Sequence, residues 1–128
     1  MKIVNVVAAI IVKNGKIFAT QRGYGEFKDG WEFPGGKIEE GESKEAALVR
    51  EIKEELDANI KVESHFIKVE HDYKKFHLSM DCFICTLVDD NLKLLEHEAA
   101  KWLKKEELDS VDWLDADIKI IDRLKTYL

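Results

Sequence analysis

Residues 36–56, GKIEEGESKEAALVREIKEEL, run from a glycine turn directly into a helix whose carboxylates gather on one side. Ser43 is a good N-cap, Glu45 places an anion in the first turn, and Ala46, Ala47 and Leu48 are strong helix formers, so the helix starts near Lys44. Leu48, Ile52 and Leu56 recur every fourth residue with Val49 beside them, which gives an apolar stripe that packs on a sheet. Glu51, Glu54 and Glu55 fall elsewhere on the wheel, three and four residues apart. Their oxygens are able to converge on hard cations such as Mg2+ or Mn2+. A solvated acidic face is the competing reading, because like charges at these spacings cost an exposed helix only about 0.2 to 0.5 kcal/mol per pair.

The residues just before the helix tip that balance. Trp31-Glu32-Phe33-Pro34-Gly35-Gly36-Lys37 joins an aromatic segment to two glycines and a lysine, so the backbone can approach a ligand closely there. Lys37 is of the right type to meet a phosphate oxygen, and equally suited to be a solvated loop cation. A P-loop is excluded, since no G-x-x-x-x-G-K-[ST] occurs.

Gly36, Glu42 after five residues, Arg50-Glu51-Ile52 after seven, and then Glu54-Glu55 resemble the Nudix box. The chain departs from that pattern at Asp57 and Ala58, where the family has glycine and an aliphatic residue. Asp is among the few residues that tolerate the left-handed conformation glycine would supply, so the departure bears on the helix terminus more than on the chemistry. The likeness extends over nearly the whole chain: Val6 to Arg22, Trp31 to Lys37 and Glu96-His97-Glu98-Ala99-Ala100-Lys101-Trp102-Leu103 are similar to the MutT-like nucleoside triphosphate pyrophosphohydrolases. Within that branch the resemblance is to small enzymes known as CTP pyrophosphohydrolases or 8-oxo-dGTP diphosphatases.

The resemblance implies an Mg2+-dependent hydrolase, with Mn2+ as a substitute, that releases a nucleoside monophosphate and pyrophosphate. It implies that Glu51, Glu54 and Glu55 bind metal with the Gly35 carbonyl, that Glu96 approaches the same cluster, and that Arg50 orients the carboxylates. Arg50 also reads as a structural ion-pair partner. Glu51, Glu54 and Glu96 are all candidates for the general base, with Glu51 favoured by family analogy and Glu96 second; Glu96 also reads as a solvated loop acid. For Glu42, capping or loop bracing outweighs direct catalysis. His97 is a loop hydrogen-bonding residue or a functional one. On the substrate side, Arg22 and Lys37 match phosphate-contacting positions, with a surface cation as the alternative for each, and Glu32 and Phe33 belong to the matching run. Asp117 falls where a polar residue meets the base; an ionised Asp offers only acceptors and so prefers an amino-bearing edge, unless it is held protonated. Its alternative is an N-cap of the last helix. Tyr73 and Phe76 are placed either to stack on a base or to pack in the core.

The chain of 128 residues suffices for one compact domain spanning 1–128, and no Pro/Ser/Gly linker divides it. A net charge of −6 argues against nucleic-acid polymers and anionic membranes as partners, so a phosphorylated ligand is met by local cations and metal. The expected partner is a small nucleotide. Met1 to Val12 is apolar but lacks a basic leader with a cleavage site and the length to span a bilayer; it reads as a strand, and a cytoplasmic location is expected. Cys82 and Cys85 form a C-x-x-C inside a strand-like run with no second pair, and read as buried thiols on opposite faces.

Strands are expected at Ile3 to Lys13 and Lys16 to Arg22, joined by the hairpin signal Asn14-Gly15, and at Ile60 to Glu70 and Phe76 to Val88. Glu106 to Ser110 reads as a helical turn and Ile118 to Tyr127 as a terminal helix. That order gives an α+β fold with a mixed sheet between helices, and the resemblance implies the Nudix α/β/α sandwich. Two other functions compete with triphosphate hydrolysis: hydrolysis of another nucleoside diphosphate derivative such as ADP-ribose, and a non-catalytic nucleotide-sensing module. The intact Arg50-Glu51 and Glu54-Glu55 set argues against the module, and the lack of a long insertion argues against the diphosphate derivative.

Overall fold

A computed structural model of the chain describes residues 1–127. Its first strand, β1 (Lys2–Lys13), organises everything else. The Asn14-Gly15 turn, with both residues at positive φ, folds β1 back onto β2 (Lys16–Arg22), as the dipeptide predicts. On its other side β1 runs parallel to β6 (Phe76–Leu87) over ten residue pairs, and β6 pairs antiparallel with β5 (Ile60–Asp72). Three short or late strands complete the mixed sheet: β3 (Trp31–Glu32) and β7 (His97–Leu103) on β2, and β4 (Gly35–Lys37) on β1.

Side-chain alternation along β1 separates two cores. Val7, Ala9 and Ile11 pack with Phe83 and Cys85 under Ala47, Leu48, Ile52 and Leu56 of helix α1 (Lys44–Leu56). Ala8 and Ile10 pack with Cys82 and Ile84 under Ile120, Ile121 and Leu124 of helix α2 (Asp115–Tyr127). A helix thus covers each face of the sheet, which is the α/β/α sandwich expected. The two cysteines are free and buried, one in each core. Among the described residues no helix is long and apolar enough to cross a membrane.

Several sequence expectations need correction. The runs at β3, β4 and β7 carry no strand signal of their own; they are ordered by pairing with β1 and β2. Helix α2 begins at Asp115, three residues before the expected Ile118, and the helical turn is a 3-10 turn at Lys105–Glu107. The earlier start puts Asp117 inside the helix, so it is not the N-cap. The caps of α1 are as expected: Ser43 Oγ accepts from Ala46 N at 3.1 Å, and Asp57 ends the helix at φ 51° with its N–H donating to Lys53 O.

Candidate active site

The two glycines of β4 are pressed between β1 and α1. A Cβ on Gly35 would lie 2.0 Å from the Val7 carbonyl oxygen, and one on Gly36 would lie 2.4 Å from the Glu51 carboxylate. Only glycines let the strand, the central sheet and the acidic helix meet this closely. The two obstacles differ in kind, since one is rigid backbone and the other the end of a flexible side chain. Gly36→Ala is therefore expected to fold with a thermal midpoint close to the parent's but to displace Glu51, lowering kcat by about 10 to 100-fold; paired thermal unfolding and steady-state kinetics check this.

Arg50 organises the carboxylates around it. Its Nε and NH2 donate to the two Glu42 oxygens at 2.7 and 2.8 Å, NH1 donates to Glu51 Oε1 at 3.0 Å and Glu54 Oε2 at 3.2 Å, and NH2 also donates to Lys37 O at 3.1 Å. This fork-to-carboxylate geometry fixes the 37–42 turn against the helix. The Arg50 hydrogen bonds hold the Glu42 carboxyl down at about 2, and the reciprocal bond raises the guanidinium. Glu42 also accepts from Glu39 N at 2.9 Å, so it braces the loop, as the sequence favoured.

Glu51 is partly buried and its pKa is raised, first by burial and against the pull of Arg50. Glu55 sits deeper. Burial, followed by the charges of Glu51, Glu96 and Glu32, pushes its carboxyl up to about 9, opposed by the Gly35 N–H that it accepts. Its Oε2 is buried without a hydrogen-bond partner. Glu96 is brought in by the end of α1, whose last carbonyls are free to accept from the next segment: Leu56 O accepts from Lys93 N at 2.7 Å and Glu55 O from Leu95 N at 3.0 Å. Glu54 is more than half exposed on the same helix and reaches Arg50. His97 is on β7, not in a loop, with its side chain buried and Nε2 at 3.6 Å from Glu55 Oε2 and 3.9 Å from Glu32 Oε2. Burial lowers its pKa, and its Nδ1 is also buried without a partner.

Two chambers open beside these groups. Glu55, Glu96, His97, Glu26 and Glu32 line an acidic one with Arg22 and Gly35. The other, about 560 Å³, is mostly apolar, with Phe33, Tyr73, Phe76, Leu78 and Met80 in its walls and Asp117 among them. Arg22, Glu32 and Gly35 line both, and the Arg22–Glu32 pair is bidentate at 2.7 and 3.1 Å. Asp117 is 5% exposed; its Oδ1 accepts from Phe33 N at 3.1 Å, and burial raises the carboxyl to about 8. Tyr73 is oriented by accepting the Ala116 N–H at 3.1 Å. The side chains of Lys37 and Glu54 are exposed and line neither chamber, nor do Arg50 and Glu51 beside them, while the Lys37 carbonyl serves Arg50.

The donor set suits a hard divalent cation. Neighbouring carboxylates that add to the raised pKa of Glu51 and Glu55, and one buried oxygen lacking any partner, make a site whose electrostatics call for positive charge. Among the described residues no three acidic, histidine or cysteine groups are closed into a metal cage. Sequence reasoning missed the burial of His97 and the placing of Phe27 in the apolar chamber; a histidine at the first residue of a strand and an aromatic in a loop carry no periodic signal.

A family model described as NUDIX domain matches residues 1–124. The chain belongs to the Nudix family. It is 34% identical over 123 residues to a CTP pyrophosphohydrolase of Escherichia coli K12, covering 95% of this chain and 91% of that one. It is 32% identical over 126 residues to an 8-oxo-dGTP diphosphatase of Buchnera aphidicola subsp. Schizaphis graminum, covering 98% and 95%. A solution structure of MutT, described as a DNA mismatch repair protein of the Nudix hydrolase family, from methicillin-resistant Staphylococcus aureus 252 superposes with a TM-score of 0.79 at 37% identity, covering both chains in full. The protein is thus a Nudix hydrolase of MutT type. Nudix hydrolases generally use a divalent metal and act on small nucleotides, which matches an acidic chamber joined to an apolar one.

Proposed function

We propose that this Nudix hydrolase cleaves a nucleoside triphosphate, either undamaged, such as CTP or dCTP, or modified, such as 8-oxo-dGTP, to the monophosphate and pyrophosphate. The observation that carries the reading is the junction of the two chambers at Arg22, Glu32 and Gly35: an apolar, aromatic-walled space suited to a base meets an acidic one suited to metal-bound phosphates across the Arg22–Glu32 ion pair. The chain's likeness to a CTP pyrophosphohydrolase and an 8-oxo-dGTP diphosphatase supports it. A small cytoplasmic nucleotide is the partner, with no role for a nucleic-acid polymer or a membrane.

Glu51, Glu54, Glu55 and Glu96, with the Gly35 carbonyl, hold Mg2+, and Mn2+ can take its place. The ion supplies charge against the phosphates and acidifies water. Glu51 accepts the proton of the attacking water at its carboxylate; burial already raises its pKa toward that of a working base. Arg50 acts through Glu51 and Glu54 and is a positioning residue. Arg22 meets the phosphates, with Lys37 turning in from the rim. Phe33 and Tyr73 flank the base, and Asp117 reads its edge. Near neutral pH Asp117 is largely protonated, so it donates as well as accepts, which widens the range of edges it satisfies.

A panel of nucleoside triphosphates, 8-oxo-dGTP and ADP-ribose with Mg2+, scored for pyrophosphate, orthophosphate and AMP, tests this. Pyrophosphate from one or more triphosphates, with ADP-ribose left uncut, is the expected result. Turnover confined to ADP-ribose would sink the reading.

A further inference from the structure

A second recess lies behind one wall of the apolar chamber. It is edged by Asp112, Trp113 and Asp115, and three side chains, Phe27, Tyr73 and Leu114, line both spaces. Two members of this shared wall are fixed. The Tyr73 hydroxyl accepts the Ala116 N–H, and Leu114 N donates to Trp31 O at 2.9 Å. Phe27 is different. It stands on the loop between β2 and β3, half-buried, and its ring meets Tyr73 at 4.9 Å between centroids.

The backbone at Phe27 is also strained, at φ 66°, a region that a bulky residue rarely occupies. The loop is fastened on both sides of it: Arg22 NH1 donates to Glu26 O at 3.2 Å, Asp29 N to Arg22 O at 2.8 Å, and Gln21 Nε2 to Asp29 O at 3.0 Å. The backbone is therefore held, and the ring is the part left to turn about its side-chain torsions. Turning it off Tyr73 would join the two spaces.

We propose that Phe27 is a movable partition that sets the size of the base, and that displacing it admits nucleotides whose base carries a bulky uncharged or cationic substituent, accommodated beside Asp112 and Asp115. This rests on the triphosphate reading above. The test compares kcat/KM for dCTP with N4-benzyl-dCTP, and for dATP with N6-benzyl-dATP, in the parent, Phe27→Ala and Phe27→Leu. Phe27→Ala is expected to shift the ratio toward the benzylated member at least 10-fold, with Phe27→Leu, which retains apolar packing, shifted in the same direction by less. An unchanged ratio in both variants overturns the partition. The same ratios are read from binding of the corresponding monophosphates by intrinsic fluorescence. They decide the question even if no triphosphate is cleaved, a result that would overturn the triphosphate reading alone.

Discussion

Glu55→Gln is expected to lower kcat by roughly 10³-fold, about 4 kcal/mol of transition-state stabilisation, while the protein stays folded. Glutamine keeps the shape of the side chain and mimics its neutral form. Because burial and the neighbouring Glu51, Glu96 and Glu32 push the Glu55 carboxyl up to about 9, the metal-free protein carries it protonated at neutral pH. The exchange therefore costs the metal-free fold little, and what it removes is the anionic ligand. The sign of the linkage gives a second readout. A folded-state pKa raised above the ordinary 4.5 means that the folded chain holds a proton the unfolded chain has lost, so metal-free stability falls as pH rises from about 4.5 to about 9. Asp117, raised to about 8, adds a fall in the same direction. Thermal unfolding without metal should show a shallower pH dependence in Glu55→Gln than in the parent. Full activity in this variant would remove Glu55 from the metal site.

Arg50→Ala is expected to reduce kcat by about 100-fold with a much smaller change in KM, in line with groups that orient metal ligands. Every nitrogen of the Arg50 fork has a partner among Glu42, Glu51, Glu54 and the Lys37 carbonyl, and the chambers are lined without it. Its loss acts by releasing Glu51 and Glu54 and by loosening the 37–42 turn. Arg50→Lys should recover little, because a point-like ammonium cannot replace a planar fork bound to both Glu42 oxygens. A KM rise with kcat unchanged, measured by steady-state kinetics, would instead make Arg50 a substrate ligand.

Helix α1 was fully legible in the sequence because its signals are local: Ser43, the Leu48-Ile52-Leu56 stripe and Asp57 as a left-handed cap each act within a turn of where they stand. So was the β1–β2 hairpin at Asn14-Gly15. Strand β4 was not legible, since Gly35-Gly36-Lys37 has no strand propensity and is extended only because β1 offers it a partner. The same holds for β7, and with it the burial of His97 beside Glu55. Asp117 was read either as a base-side residue or as an N-cap; its burial and the bond it accepts from Phe33 N, 84 residues away in the chain, have no local signal. The carboxylates followed from spacing and resemblance. That Glu55 is buried with an unpartnered oxygen did not, because burial there depends on the sheet beneath and on the 93–96 segment folded over the helix end.

The most direct test of the metal site is a calorimetric titration of Mn2+ into the protein at pH 7 in two buffers of different ionisation heat. Binding at a site built around a protonated Glu55 must expel its proton, so the parent should bind saturably and release about one proton per site, and Glu55→Gln should lose that release together with most of the affinity. Saturable binding with the same proton count in both proteins, or no saturable binding in the parent, would contradict the assignment.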